Sequence, residues 1–443
     1  MPTKRITRSH TRLRERVEPL EYVDEVEECE RKTKRTRKVS RKDSVASAKS
    51  DCQAPQNHHA PDYHEFSSEE VEAIRSGLVG WYHENKRTLE WRVEWEEVSF
   101  KQKDQLSQRA YEVWVSEIML QQTQVKTVRE YYRRWIARWP TVRDLAKADL
   151  EDVNKVWAGL GYYQRARRLH EGAKKVVNDL GGVMPSNAAD LQRLIPGIGR
   201  YTAGAIASIA YNQPAELVDG NVVRVLTRLR AIGGDPKSNG VIAMIWDLAK
   251  TLIHPVSPGD FNQALMELGA TVCTPTNPSC KVCPIQSSCR ALEEVSFTKL
   301  QRAVVAKMPD IEGCKCTVCI PRSSSDPYRV TDYPCKVEKK PPREEGCVVC
   351  ILEHTSDTSQ IHYLLQKRPE KGLLAGLWEF PNVSITKAHL SSQEYIRMAG
   401  EEVQERLGIT LPEESQREYI GSIIHLFSHI RQTYEVVRIS FDR

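Results

Sequence analysis

Two acidic residues and four cysteines in this 443-residue chain stand where they could do chemistry. Glu117 lies inside Val113-Trp114-Val115-Ser116-Glu117-Ile118-Met119-Leu120. A carboxyl buried in such surroundings is desolvated, and its pKa rises toward the range of a general acid. On a solvated helix face the same residue would be an ordinary carboxylate, and Met119 and Leu120, though adjacent in sequence, point to other faces. Asp219 ends Ala215-Glu216-Leu217-Val218, just ahead of Gly220, Asn221 and an amphipathic run from Val222. A carboxylate at that helix N-terminus stays ionised and can stabilise a cation developing nearby. Asp219 or Asn221 could equally be a plain N-cap. Cys273, Cys280, Cys283 and Cys289 are spaced C-x6-C-x2-C-x5-C, with Pro275, Pro278 and Pro284 among them. Four thiolates so close in sequence suit zinc or a four-iron cluster better than core packing, and spacing alone does not choose between the two.

Helices and tight turns must position these groups. Leu194-Ile195-Pro196-Gly197-Ile198-Gly199-Arg200 reads as a hairpin between two helices. Pro sets one turn dihedral, and Gly197 and Gly199 tolerate positive φ and carry no side chain. The hairpin's N–H groups and the positive end of the helix from Arg200 could grip a phosphate. A helix over about 110–135 carries Glu117 and then Gln121, Gln122, Thr123 and Gln124, side chains suited to base edges or to a wedge in a base stack. Gly159-Leu160-Gly161-Tyr162-Tyr163, followed by Arg165, Arg167 and Arg168, combines turn, stacking and phosphate-pairing residues. Order is expected to begin near Ser67-Ser68-Glu69-Glu70, a helix start with an acidic first turn.

Composition bounds the rest. The net charge of +5 is mild and does not by itself indicate nucleic acid, and no apolar run approaches a membrane span. Residues 1–65 are polar and charged and are expected to be disordered. Their basic run from Arg31 to Lys38, with Arg41 and Lys42, points to a nuclear address or a DNA-binding arm. The Arg-, Lys- and Thr-rich opening also suits a mitochondrial address, against which Glu18, Glu21, Asp24 and Glu25 argue. Residues 66–295 read as an all-α domain and 296–345 as an irregular connector with a second cluster, Cys314, Cys316 and Cys319. Three cysteines are one ligand short of tetrahedral zinc, which Cys335 or a distant residue would have to supply. From 346 to 443 short strands and a helix at about 392–407 indicate an α+β domain, expected to be incomplete because the chain stops directly after its last strand.

Taken together and in this order, Val113 to Glu117 with Gln121 to Val125, Gly159 to Tyr163, the hairpin, Val218 to Asn221 and the four-cysteine loop resemble the MutY-type adenine DNA glycosylases of the endonuclease III superfamily. The resemblance spans about residues 66–443. It implies a multidomain fold: a helix-hairpin-helix glycosylase core with a [4Fe–4S] loop, then a MutT/Nudix-like domain. It implies removal of adenine mispaired with 8-oxoguanine or guanine in double-stranded DNA, by a monomer. Glu117 matches the acid that protonates adenine, Asp219 the carboxylate that stabilises the oxocarbenium ion, and Asn221 and Tyr201 the groups that position them. Lyases of the superfamily carry Lys where Tyr201 stands, so a monofunctional enzyme is expected. Trp91, Arg92 and Gln263 match the adenine pocket, although Glu90 replaces the Pro usual before that Trp. Gln122 and Tyr162 match residues that wedge into the duplex as the base flips out. Phe427, Ser428 and His429 match the loop that reads 8-oxoguanine. The tail lacks a Nudix hydrolase box, since Glu401-Glu402-Val403-Gln404-Glu405 does not supply it. The connector resembles a zinc-binding, partner-contacting linker through Cys314, Cys316 and Cys319. Asp310-Ile311-Glu312 resembles a contact for checkpoint-clamp and abasic-site repair partners.

Three other readings compete. An endonuclease III-like enzyme for oxidised pyrimidines conflicts with Tyr201 and the tail. A scaffold without catalysis conflicts with the presence of both Glu117 and Asp219. A nucleotide phosphatase conflicts with the missing box.

Overall fold

A computed structural model describes residues 63–92, 102–303, 329–335, 341–356, 360–369, 372–385, 390–427 and 429–442, with backbone only at 297–303 and 442. The basic run, Asp310 to Glu312, Cys314, Cys316, Cys319 and Ser428 lie outside the described residues. No helix among the described residues is long and apolar enough to cross a membrane. The described residues up to Cys335, apart from residues 162–164, form one compact unit, and those from 341 onward belong to a second.

The first unit is helical. Its order is α1 (Ser68–Asn85), α2 (Lys103–Leu120), α3 (Val125–Arg138), α4 (Val142–Lys147), α5 (Leu150–Trp157), α6 (Gln164–Asp179), α7 (Ala188–Leu194), α8 (Arg200–Tyr211), α9 (Gly220–Leu229), α10 (Asn239–Leu252), α11 (Pro258–Thr271) and α12 (Arg290–Ala303). α1 starts with a capping box, Ser67 accepting from Glu70 N and Glu70 accepting from Ser67 N. Its Ile74, Leu78 and Tyr82, one helical face, pack into a core with Val222, Leu226, Ile245, Phe261 and Leu265. A second apolar centre forms where Trp135 meets Trp139 and Trp157 edge-on, at centroid distances of 4.8 and 5.5 Å.

The single helix expected over about 110–135 is two. α2 stops at Leu120, and α3 starts at Val125 after a turn in which Gln122 has φ 53°. Apolar periodicity continues across the break, so periodicity alone does not reveal it; four consecutive polar residues are its mark. α2 also begins at Lys103, ahead of the expected start near residue 110. α12 runs past residue 295 to Ala303, and the segment Arg329–Cys335 of the connector packs with the first unit, Val330 and Tyr333 buried beside Ala231 and Ala291.

The second unit holds β1 (Arg343–Thr355), β2 (Ile361–Tyr363), β3 (Gln366–Lys367), β4 (Trp378–Glu379), β5 (Asn382–Ile385), α13 (Ser392–Glu401), β6 (Gln416–Leu426) and β7 (Ile430–Asp442). The sheet order is β2-β1-β7-β6, with β5 also pairing β1, and β1 and β7 run parallel over their length. Val348, Cys350 and Leu352 alternate inward from β1 onto Tyr395 and Ala399 of α13. α13 continues as one wide turn over Glu402–Arg406. Glu401 and Glu402 are each paired with an arginine, Arg397 and Arg406. No three His, Cys, Asp or Glu among the described residues stand close enough to share one metal ion.

Candidate active site and four-cysteine centre

Three elements converge on Glu117. It projects from α2 and is 5% exposed. The Tyr201 hydroxyl, from the first turn of α8, donates to Glu117 Oε2 at 2.5 Å and touches Met266 Sδ of α11 at 3.4 Å. Burial pushes the Glu117 carboxyl up to about 7; the Tyr201 hydrogen bond and the Arg92 charge pull down, and the Asp219 charge adds to the rise. The Tyr201 phenol is raised well above its ordinary value by burial and by the Glu117 charge, so it stays a donor.

Asp219 is the N-cap of α9: its Oδ1 accepts from Val222 N at 2.7 Å. Its Oδ2 accepts from Asn221 Nδ2 at 2.8 Å. Burial raises this carboxyl too, against the pull of those bonds and of Arg224. Desolvation opposes the helix dipole. The two carboxyls are nevertheless unequal. Asp219 accepts two local hydrogen bonds with a guanidinium nearby, whereas Glu117 accepts one from a neutral phenol and bears the Asp219 charge. Of the two, Glu117 is the better placed to hold a proton.

Asn221 is fixed in turn by Arg224, whose Nη2 donates to Asn221 Oδ1 at 2.8 Å and to Gly269 O at 2.7 Å. Arg224 Nε donates to Cys273 O at 2.8 Å, so one guanidinium joins the Asp219 cap to the first cysteine. The approach depends on Gly269, where a Cβ would sit 2.6 Å from Asn221 Cβ. One turn on, the buried Arg228 donates to Cys273 O, Thr274 O, Pro275 O and Tyr333 O. Arg228→Gln strips partners from several of these carbonyls and should cost about 3 kcal/mol. Its thermal unfolding midpoint is then several degrees below wild type, and an unchanged midpoint contradicts the bonding described.

Cys273, Cys280, Cys283 and Cys289 line one apolar pocket with Val225, Leu268 and Val330. Burial pushes the Cys283 thiol up to about 11 and Cys289 up to about 12, so as free groups both are protonated. Thiols in such a place become thiolates only against a strongly cationic partner. The pocket gathers all four, and four cysteine thiolates are a donor set for a [4Fe–4S] cluster as well as for a structural zinc.

The pocket residues expected from sequence are buried or half-buried within the first unit. Arg92 Nη2 donates to Glu267 Oε2 at 2.7 Å, and its charge acts on Glu117. Trp91 is buried, edge-on to Tyr132 at 5.3 Å. Gln263 is buried on α11, one turn before Glu267. In the hairpin, Gly197 has φ 82° and would clash with Arg168 Cβ if it bore a side chain. Gly199 differs from expectation: as N-cap of α8 its φ is −87°, open to any residue. Gln122 and Tyr162 both adopt left-handed backbone, φ 53° and 49°. Such strain in non-glycine residues concentrates at functional turns. Gln121 is the C-cap of α2. Its carbonyl, with those of Ile118, Met119, Leu160 and Gly161, accepts from the Arg165 guanidinium, which thereby braces both turns. In the second unit, Phe427 and His429 flank the β6–β7 turn, Phe427 N donating to Ile430 O and Arg343 N to His429 O.

Three residues escaped the sequence reading. Glu267 is wholly buried and paired with Arg87 and Arg92, and its setting in Ala264-Leu265-Met266-Glu267-Leu268 carries the same signal as Glu117. Arg224 and Arg228 show as two arginines four apart inside an apolar helix. Arg165, expected to pair with phosphate, differs from expectation: its guanidinium is spent on backbone carbonyls of two turns.

Comparison with known proteins places these features. The HhH-GPD superfamily base excision DNA repair protein family matches residues 115–250, and the NUDIX domain family matches 348–443. The chain is 49% identical over 388 residues to the adenine DNA glycosylase of Rattus norvegicus, covering 86% of this chain and 73% of the relative. For the adenine DNA glycosylase of Homo sapiens the identity is 49% over 389 residues, covering 86% and 69%. A solved thermostable thymine-DNA glycosylase superposes with a TM-score of 0.43 at 27% identity, over 51% of this chain and 97% of its own.

Proposed function

This chain belongs to the adenine DNA glycosylase family, and on that premise we propose a monofunctional enzyme that hydrolyses the N-glycosidic bond of adenine opposite 8-oxoguanine. Its activity in base excision repair, as a DNA N-glycosylase specific for adenine, follows from the family. The division of labour at the site is carried by one observation, the buried Glu117 held by Tyr201 beside the capped Asp219.

With adenine extruded into the pocket, Glu117 donates its proton to the base and makes it a neutral leaving group. The sugar acquires positive charge as the bond breaks, and the Asp219 carboxylate stabilises it. Asn221 and Arg224 keep that carboxylate in place. Tyr201 orients Glu117 and, as a buried phenol, offers no amine to form a Schiff base. Trp91, Arg92 and Gln263 shape the pocket, and Gln122 and Tyr162 fill the stack that the base leaves. Phe427, Ser428 and His429 recognise 8-oxoguanine in the opposite strand.

The four cysteines would hold a [4Fe–4S] cluster, whose iron–thiolate bonds close the Cys273–Cys289 loop against Arg224 and Arg228. Connector zinc through Cys314, Cys316 and Cys319, clamp and abasic-site repair partners through Asp310 to Glu312, a nuclear site of action with a mitochondrial share, and a monomeric state complete the reading.

The test is single-turnover release of adenine from a duplex with one A:8-oxoguanine pair, set beside an A:T control, with and without alkali. Strand scission only after alkali, at A:8-oxoguanine and not at A:T, is the expected result. Scission without alkali would establish lyase chemistry and overturn the assignment of Tyr201.

A further inference from the structure

The residue that departs from the family's usual Pro, Glu90, has a place of its own in the structure. Its carboxylate takes Arg129 Nε at 3.0 Å and Nη2 at 2.9 Å, and Arg133 Nε at 3.0 Å and Nη2 at 2.5 Å. Arg129 and Arg133 are four apart on α3, so they present one face and close on the carboxylate from both sides. The two guanidiniums hold the Glu90 carboxyl down at about 2. The next residue, Trp91, lies on Tyr132 of the same helix, and Arg92 N closes the turn onto Leu89 O. Leu89 to Arg92 is thus pinned to α3 at two consecutive positions before Arg92 reaches Glu267.

We propose that Glu90, through Arg129 and Arg133, is the positioning residue that keeps Trp91 and Arg92 aligned on Glu117 and so sets the geometry of the base pocket. This rests on the functional reading above. Glu117 is faced by Tyr201 from α8, by Asp219 from the start of α9 and by Arg92 from the pinned turn. Of these, Arg92 alone is carried by the segment that Glu90 anchors. Exposed ion pairs contribute little to global stability, and the Arg129 and Arg133 side chains are 43% and 53% exposed. The clamp therefore acts on alignment more than on folding.

The experiment compares Glu90→Gln with wild type in single-turnover adenine release at saturating full-length enzyme, across pH. Release should slow about tenfold, the scale of a small misplacement at a reacting group. The high-pH limb should also move to higher pH, because Arg92 lowers the Glu117 carboxyl and its drift removes that pull. Arg129→Gln with Arg133→Gln attacks the clamp from the other side and should give the same two changes. Combined with Glu90→Gln, it should add nothing further. This pair carries the test if Glu90→Gln fails to fold. A wild-type rate with an unmoved limb overturns the proposal, as does slowed release with an unmoved limb and a lowered melting point, which marks a merely structural residue. Wild-type enzyme that releases no adenine overturns the functional reading and this inference with it, whereas an active wild type with unaffected variants overturns the inference alone.

Discussion

Glu117→Gln should leave a folded protein that still binds the mispaired duplex but releases adenine about 10²–10⁴-fold more slowly, the usual contribution of a positioned acid. The amide keeps the shape of the carboxyl and can accept the Tyr201 hydrogen bond, so the loss is chemical and not architectural. The pH dependence has a definite sign. The acid is competent while protonated, and burial holds its pKa at about 7, so wild-type release is maximal below that value and falls about tenfold per unit above it. Stability runs the same way. A carboxyl raised from 4.5 to about 7 binds its proton more tightly in the folded state. Its contribution to folding is complete below 4.5 and is lost as pH rises to about 7. The Gln variant lacks this titration, so its melting temperature should decline less across that interval. Single-turnover assays and melting curves at matched pH read both effects. Release by the variant within threefold of wild type would remove Glu117 from the role of acid.

The second large effect belongs to the cysteine loop. Cys283→Ser should yield protein with little bound iron, without the broad visible absorbance of an iron–sulfur cluster, and with no measurable adenine release. Ligand binding free energy is folding free energy where thiolates must converge from an irregular loop. Here the loop holds only two short turns of 3₁₀ helix, Cys280–Val282 and Gln286–Ser288, and much of its backbone is tied down by Arg224 and Arg228. Without the ligand, the Cys273 carbonyl that both arginines share is no longer held, and disorder reaches Asn221 and Asp219 through Arg224. The variant should therefore show early protease cleavage between 273 and 289, where wild type resists. Full iron content in the variant, or zinc in place of iron in the wild type, would contradict the cluster assignment.

The chain's own letters carried much of this protein. The Pro196–Gly199 hairpin, the Ser67 cap, the helix start at Arg200 and the stranded character of the tail were legible because they depend on local dihedral and capping preferences. The four cysteines were legible because their spacing is itself the signal. Burial of Glu117 was not, since its immediate neighbours leave the facing undecided; α8 and α11 decide it by bringing Tyr201 and Met266 over the carboxyl. The same holds for the state of Asp219, where desolvation by packed helices opposes the local helix end. Arg224, Arg228 and Arg165 act on backbone carbonyls distant in sequence, and a carbonyl looks alike at every residue. Glu90 read as a departure from pattern until α3 placed two arginines beside it. Residue types and spacing determined which chemistry this chain can do, because bond-making groups and turn formers act locally. Only tertiary structure decided protonation and alignment, because both are set by which groups long-range packing brings within a few ångströms of one carboxyl.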